Sequence, residues 1–136
     1  MKIKLDKYAF EPSRAHDTDA GMDILSPAEF LIGPHSSCVI PTGVHVQLPK
    51  GTAGLIVSKS GLNVKSSLTT TGLIDEGYSG QIFIKLYNHG SSSYMVRRGD
   101  KISQMIVVPV LYEPIEIVDE IESGERGDNG FGSTGR

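Results

Sequence analysis

The chain has 136 residues, a size typical of one domain with its own hydrophobic core. Its formal net charge is −3, which argues against a general nucleic-acid-binding protein. A single cysteine excludes an internal disulfide and a cysteine-based zinc site. No stretch approaches the ~18 apolar residues of a membrane span, and the N-terminus lacks an apolar signal-peptide core. We therefore expect a soluble, cytoplasmic protein with neither a nucleic-acid nor a membrane partner.

Alternating apolar and polar side chains predict β-strands along much of the chain. In the stretch 44–48 two valines and a leucine alternate with His45 and a glutamine, which turns His45 toward solvent or a neighbouring subunit. The stretch 82–87 alternates in the same way. A β-branched run over 105–110 predicts a strand buried on both faces, with Pro109 at an edge or bulge near its end.

Turn residues separate these stretches at short intervals. They fall at 33–34, 41–43, 49–51, 88–90 and 98–100, where glycine accompanies proline, asparagine or aspartate. Short strands at this spacing predict an all-β sandwich or barrel. No window has the period of a long amphipathic helix, and no internal repeat or second domain is visible.

The last eleven residues, 126–136, contain four glycines and one large apolar side chain, Phe131. They cannot bury enough surface to offset an ordering entropy of roughly 1–2 kcal/mol per residue, so we expect a flexible tail. The stretch 130–135 matches the dinucleotide-binding pattern G-x-G-x-x-G. Only one residue follows it, so the helix which that pattern requires is missing.

Five polar clusters lie in the turns of this predicted β scaffold. They are A-G-M-D-I at 20–24, S-K-S-G at 58–61, G-L-I-D-E-G-Y-S-G at 72–80, G-D-K-I-S-Q at 99–104, and the tail. Each alone is ordinary turn chemistry, but in this order they resemble the five motifs of the trimeric deoxyuridine triphosphatases (dUTPases). The resemblance spans 20–135.

The resemblance implies both an architecture and a reaction. The architecture is a jelly-roll-like distorted β-barrel with little helix over 1–120, which forms a homotrimer with shared active sites. Residues 121–136 form a flexible lid that closes on an active site at the subunit interface. The reaction is Mg²⁺-dependent hydrolysis of dUTP to dUMP and pyrophosphate, which keeps uracil out of DNA and supplies dUMP for dTMP synthesis.

The residues support this chemistry, because triphosphate hydrolysis needs a base for the attacking water and positive or N–H-rich groups around the phosphates. By resemblance, Asp75 orients and deprotonates the water that attacks the α-phosphorus. The same resemblance implies that the phosphates are bound by Lys59, Ser60, Gly61, Gln104, Arg126, Gly132, Ser133 and Thr134.

The base and sugar are bound, by the same resemblance, by Thr69, Gly72, Leu73, Ile74, Tyr78 and Phe131. The ring of Tyr78 packs flat against the deoxyribose, and Phe131 stacks on the uracil. Residues 68–73 read the uracil through the backbone groups of a β-hairpin. Mg²⁺ is held mainly by substrate phosphates and water, with indirect contact from Asp23, since this ion dehydrates reluctantly.

Two alternatives and one departure accompany this interpretation. A dCTP deaminase of similar fold would have a catalytic glutamate five residues after Gly80, where this chain has Lys85. A non-catalytic nucleotide-sensing regulator would not need Asp75 or the tail. The departure is Lys59, which replaces the arginine usual in the second motif and so keeps the charge but loses the planar guanidinium fork.

Overall fold

The computed structural model describes residues 1–124 and Gly127. In this part of the chain, ten strands and one short helix follow one another. They are β1 (Lys2–Leu5), β2 (Met22–Leu25), β3 (Phe30–Ile32), β4 (Ser36–Gln47), β5 (Thr52–Val57), α1 (Ser60–Ser66), β6 (Leu68–Thr69), β7 (Thr71–Ile74), β8 (Gln81–Asn88), β9 (Tyr94–Val96) and β10 (Lys101–Pro109). The prediction of an all-β fold with little helix is confirmed. None of the described residues belongs to a helix long and apolar enough to cross a bilayer.

The strands form three antiparallel sheets. One has the order β1-β4-β8-β6, a second has the order β2-β10-β5-β7, and the third pairs β3 with β9. The core lies between them, because apolar side chains from all three sheets are buried in one cluster. The second sheet carries parts of three motif clusters, since β2, β7 and β10 each contain part of one.

The predicted alternation within strands is confirmed in β4 and β8. Val44 and Val46 are buried in β4, and the even-numbered apolar residues of β8, Ile82 to Leu86, are buried as well. The prediction for β10 is only partly right. Met105 is buried on this strand, but the residues at 106–108 are half-buried, and the strand ends at the exposed Pro109. Pro109 does lie at the strand end, where a missing N–H is tolerated.

A bulge in β4 lies just before His45. Pro41 pairs with Phe83 and His45 pairs with Gln81, so β4 has two more residues than β8 between these pairs. The His45 ring does not face open solvent. Its Nδ1 lies 3.1 Å from the Ser79 carbonyl oxygen, and its Nε2 lies 3.3 Å from Oδ2 of Asp6.

The stretch 68–73 does not form a hairpin by itself. This corrects the hairpin that the sequence analysis expected in the base-reading segment. β6 pairs with β8 in the first sheet, whereas β7 pairs with β5 in the second sheet. Thr70, the one residue between β6 and β7, is where the chain crosses from one sheet to the other. Two strands that continue into different sheets cannot pair with each other.

Candidate active site

Asp23 is the centre of a charged cluster that joins three of the motifs. It lies on β2 with only 6% of its surface exposed. One carboxylate oxygen accepts a hydrogen bond from Nζ of Lys59, and the other lies 2.7 Å from Nζ of Lys101. Burial alone would raise the pKa of Asp23, but the hydrogen bonds and positive charges of Lys101 and Lys59 hold that pKa below its usual value. The carboxylate is therefore ionised at neutral pH.

Gln104 lies beside this cluster, directly opposite Asp23 in the β2–β10 pair. Its Nε2 donates to the backbone carbonyl of Ser58 at 3.2 Å. A Cβ on Gly21 would lie 2.6 Å from Oε1 of Gln104, so any larger residue at position 21 would displace the amide. The glycine of the first motif thus makes room for the glutamine of the fourth.

A cavity of about 390 Å³ opens over these side chains. Asp23, Lys59, Lys101 and Gln104 line it, together with Gly21. Each lysine ammonium group has three N–H donors and uses one on Asp23, so donors remain for another oxygen-rich anion. The side chains of Lys59 and Lys101 are 26% and 46% exposed, so such an anion can reach them.

The remaining residues of the second motif begin the short helix. Lys59 is the N-cap of α1, and Ser60 and Gly61 are its first two residues. Both are exposed, and nothing would meet a Cβ on Gly61 within 4 Å. The structure therefore brings Lys59 to the Asp23 cluster but leaves Ser60 and Gly61 at its open edge.

The third motif forms a separate turn after β7. Asp75 is exposed directly after that strand, and its backbone carbonyl accepts a hydrogen bond from the Tyr78 N–H at 3.0 Å. The Tyr78 hydroxyl donates to the Gln81 carbonyl at 2.8 Å. The ring consequently folds over Gly80, where an added Cβ would overlap the hydroxyl. These contacts fix the position of Tyr78 relative to Asp75.

Sequence reasoning missed the role of Glu76 and Tyr112 in this turn. Oε2 of Glu76 accepts hydrogen bonds from the Gly51 N–H at 2.7 Å and from the Tyr112 hydroxyl at 2.9 Å. The bond from Gly51, followed by that from Tyr112, lowers the pKa of Glu76. The sequence assigned no role to either residue, although Glu76 belongs to the third motif and directly follows Asp75. They anchor the turn that presents Asp75.

The base-binding candidates lie along β6 and β7. The Thr69 hydroxyl and Nε2 of His89 are 2.7 Å apart, so Thr69 has a partner within its own chain. Gly72, Leu73 and Ile74 belong to β7, and the side chain of Leu73 is 60% exposed. The tail candidates, Arg126, Phe131, Gly132, Ser133 and Thr134, lie outside the described residues.

Asp75 and the Asp23 cluster are far apart within one chain. Asp23, Gln104, Val57 and Thr71 occupy one row across four neighbouring strands, and Asp75 lies four residues beyond Thr71. With about 4.8 Å between strands and about 3.4 Å per residue, the Cα atoms of Asp23 and Asp75 are about 20 Å apart. The two groups of candidate residues therefore do not share one pocket in a single chain.

Comparisons with known proteins agree with the motif pattern. A family model described as dUTPase matches residues 7–135. A deoxyuridine 5'-triphosphate nucleotidohydrolase from Gloeothece citriformis is 42% identical and covers 99% of this chain and 97% of its own length. One from Alkaliphilus metalliredigens is 45% identical and covers 99% and 96%.

Solved structures agree as well. The dUTPase of Staphylococcus bacteriophage 80alpha with dUPNHPP superposes with a TM-score of 0.93 at 33% identity, over 99% of this chain and 98% of that chain. A mutant dUTPase of phage phi11 of S. aureus, described with a structural Mg(II) ion, has a TM-score of 0.81 at 31% identity over 88% and 96%. Because the family model spans nearly the whole chain and the relatives match over their full lengths, this chain belongs to the dUTPase family.

Proposed function

We propose that this protein hydrolyses dUTP to dUMP and pyrophosphate by attack of water on the α-phosphorus. The reaction lowers dUTP, so that less uracil enters DNA, and it supplies dUMP for dTMP synthesis. The observation that carries the proposal is the cluster of Lys59, Lys101 and Gln104 around Asp23, which presents hydrogen-bond donors to a phosphate chain inside a dUTPase fold. A single cysteine and no disulfide pair agree with a cytoplasmic location, which we propose as well.

The proposed roles follow the chemistry of each group. Asp75 orients and deprotonates the attacking water, which suits an exposed carboxylate held at a fixed turn. Tyr78 packs against the deoxyribose, and the backbone along β6 and β7 reads the uracil, with Thr69, Gly72, Leu73 and Ile74 nearest the base. Lys59, Ser60, Gly61 and Gln104 contact the phosphates. The lid, residues 121–136, adds Phe131 over the base and Arg126, Gly132, Ser133 and Thr134 around the phosphates.

Mg²⁺ is the proposed cofactor, bound through triphosphate oxygens and water. Both oxygens of Asp23 already accept bonds from ammonium groups, so this carboxylate suits an indirect contact better than direct ligation. Among residues 1–124 and Gly127, no group of three acidic, histidine or cysteine side chains is arranged to hold a metal. When bound, Mg²⁺ neutralises negative charge that develops on the phosphates.

A homotrimer with shared active sites is the proposed assembly. Two features support it. One is the distance of about 20 Å between Asp75 and Asp23, which favours a site whose two halves come from different copies. The segment 111–121 also leaves six large apolar side chains exposed: Leu111, Tyr112, Ile115, Ile117, Val118 and Ile121. A neighbouring copy would cover them, since exposed apolar surface of this extent marks an interface.

The decisive test measures pyrophosphate release from dUTP, dCTP, dTTP and UTP, with and without Mg²⁺. We expect pyrophosphate with dUTP and Mg²⁺ at a rate at least about 100-fold above that of each other nucleotide. A site that pairs with the polar edge of uracil rejects the reversed polarity of cytosine. Tyr78 packed on the deoxyribose would leave no room for the 2′-hydroxyl of UTP, and a closely packed base-reading segment would exclude the methyl group of thymine. Ammonia release from dCTP would identify a deaminase instead, and equal pyrophosphate release from dCTP would contradict the proposed selectivity for uracil. The absence of turnover with all four would identify a nucleotide-sensing regulator.

Shared sites predict complementation between two inactive variants. Asp75→Asn and Gln104→Ala impair opposite halves of the site, so each variant alone is expected to be nearly inactive. In coexpressed, randomly mixed trimers, about a quarter of the sites would combine an intact Asp75 with an intact Gln104. We expect activity to return to about that fraction of the wild-type rate.

The matched control coexpresses Asp75→Asn with the double variant Asp75→Asn/Gln104→Ala. No chain in this mixture has an intact Asp75, so no site can be complete. This mixture should stay inactive. Complementation that is no better than this control would show that each site lies within one chain.

Lys59 provides another test of the phosphate half of the site, which consists of the side chains of Lys59, Lys101 and Gln104 around Asp23. If its ammonium group acts on phosphate as a point charge, Lys59→Arg should keep its activity. Lys59→Ala should raise the KM for dUTP about tenfold, the effect of losing one charge-assisted hydrogen bond. Steady-state kinetics at fixed Mg²⁺ measures both. An alanine variant with an unchanged kcat/KM would show that Lys59 serves only Asp23.

A further inference from the structure

Ser58 makes an unusual pair of hydrogen bonds with the backbone of Thr70. Its hydroxyl donates to the Thr70 carbonyl oxygen at 3.0 Å and accepts from the Thr70 N–H at 2.9 Å. One side chain thereby satisfies both backbone hydrogen-bonding groups of a single residue. Thr70 is 5% exposed, so without this partner both groups would be buried and unpaired.

The location of this contact explains what it does. The last pair of the β5–β7 ladder is Val57 with Thr71, so Ser58 and Thr70 are the next residues in register. β5 ends and β7 begins at this pair, and the Ser58 hydroxyl takes the place of the ladder bonds that the next pair would make. Thr70 is also the residue at which the chain crosses between the two large sheets. The hydroxyl therefore fixes the angle at which β6 leads into β7.

Ser58 also contacts the phosphate half of the site, through a different group. Its backbone carbonyl accepts from Nε2 of Gln104 at 3.2 Å. Removing the Ser58 side chain leaves that carbonyl in place. A substitution at position 58 can therefore disturb the β6–β7 segment without removing the contact to Gln104.

We infer that Ser58 is a positioning residue for the base-reading segment. The inference rests on the proposed function and deepens it. Because the single N–H of Thr70 is used by Ser58, that donor is not available to the base, and the neighbouring residues of β6 and β7 must supply the donors that read it. The Ser58 hydroxyl sets their spacing and direction across the sheet crossing.

The experiment compares Ser58→Ala, which removes both bonds, with Ser58→Thr, which keeps the hydroxyl. Ser103→Ala is the matched control, since the buried Ser103 hydroxyl has no hydrogen-bond partner among the described residues. Three quantities are measured for the full-length protein: hydrogen exchange of the Thr70 amide, the Kd for dUMP and for pyrophosphate, and the ratio of kcat/KM for dUTP to that for dCTP.

For Ser58→Ala we expect faster exchange at the Thr70 amide, a Kd for dUMP weakened about tenfold, and a lower dUTP/dCTP ratio. The Kd for pyrophosphate should not change, because the Gln104 contact survives. Ser58→Thr should restore all three quantities, and Ser103→Ala should match the wild type. A general loss of folded protein would weaken both ligands equally and would leave the dUTP/dCTP ratio unchanged.

Two results would overturn the inference. One is faster exchange at Thr70 with unchanged dUMP affinity and base selectivity, which would make Ser58 a strand-end contact only. The other is equal weakening of dUMP and pyrophosphate. A wild-type protein that does not hydrolyse dUTP would instead overturn the proposed function, and this inference with it.

Discussion

Replacement of Asp75 by asparagine is expected to lower kcat for dUTP by about 10²–10⁴, the usual contribution of a general base. The substitution keeps the shape of the side chain and removes only its negative charge. Among the described residues, no hydrogen bond or ion pair uses the Asp75 carboxylate, so the fold and dUTP binding should persist. Steady-state kinetics measures kcat, and calorimetric titration with a non-hydrolysable dUTP analogue measures binding.

Glu76→Gln is the matched control, because Glu76 is the adjacent carboxylate and holds the turn rather than the water. Its bonds to Gly51 and Tyr112 should weaken on neutralisation, so a lower Tm with a much smaller loss of kcat is expected. If Asp75→Asn keeps more than about half of the wild-type kcat, Asp75 is not the base. If Glu76→Gln shows the larger loss of kcat, the two assignments must be exchanged.

Truncation after Gly124 is expected to lower kcat/KM by about 10²–10⁴ and to leave the Tm nearly unchanged. The lost groups include an aromatic ring that stacks on the base, worth roughly 1–3 kcal/mol, and charge-assisted contacts of Arg126 to phosphate, worth roughly 1.5–3 kcal/mol. The apolar residues that the structure buries all lie between Met22 and Met105, so the core does not depend on the removed segment.

Phe131→Ala separates the contributions within the lid. It should lose the stacking energy alone and therefore retain more activity than the truncated chain. Thermal unfolding and kcat/KM are measured for both proteins. A truncated chain that unfolds would make the segment a structural element, and one that is fully active would show that no lid is needed.

The sequence alone predicted the strand content and much of the core. Alternation in β4 and β8 is a local property, because each strand has one face on the core and one away from it. The apolar positions in the sequence therefore predicted which residues of these strands are buried. The order of the polar clusters predicted the family, which the comparisons confirmed. Pro109 marked the end of β10 because it cannot donate to a ladder.

Features that depend on distant partners were not predictable in the same way. The contact between His45 and the Ser79 carbonyl joins residues 34 positions apart, and the position of the bulge in β4 is set by pairing with β8. The supposed hairpin failed because nothing in the stretch 68–73 shows that its two halves pair with different sheets. The bond from Lys59 to Asp23 joins residues 36 positions apart, beyond the reach of a local pattern.

The exposed segment 111–121 has a consequence for how stability depends on concentration. The core of each copy is complete within its own chain, so that part of the folding free energy is the same at any dilution. The six apolar side chains of the segment are exposed in the described part of the single chain and would be covered by another copy in the proposed trimer, so their contribution would follow mass action. Dilution would remove that contribution while leaving the core folded. An expression level too low for assembly would then yield folded chains without complete active sites.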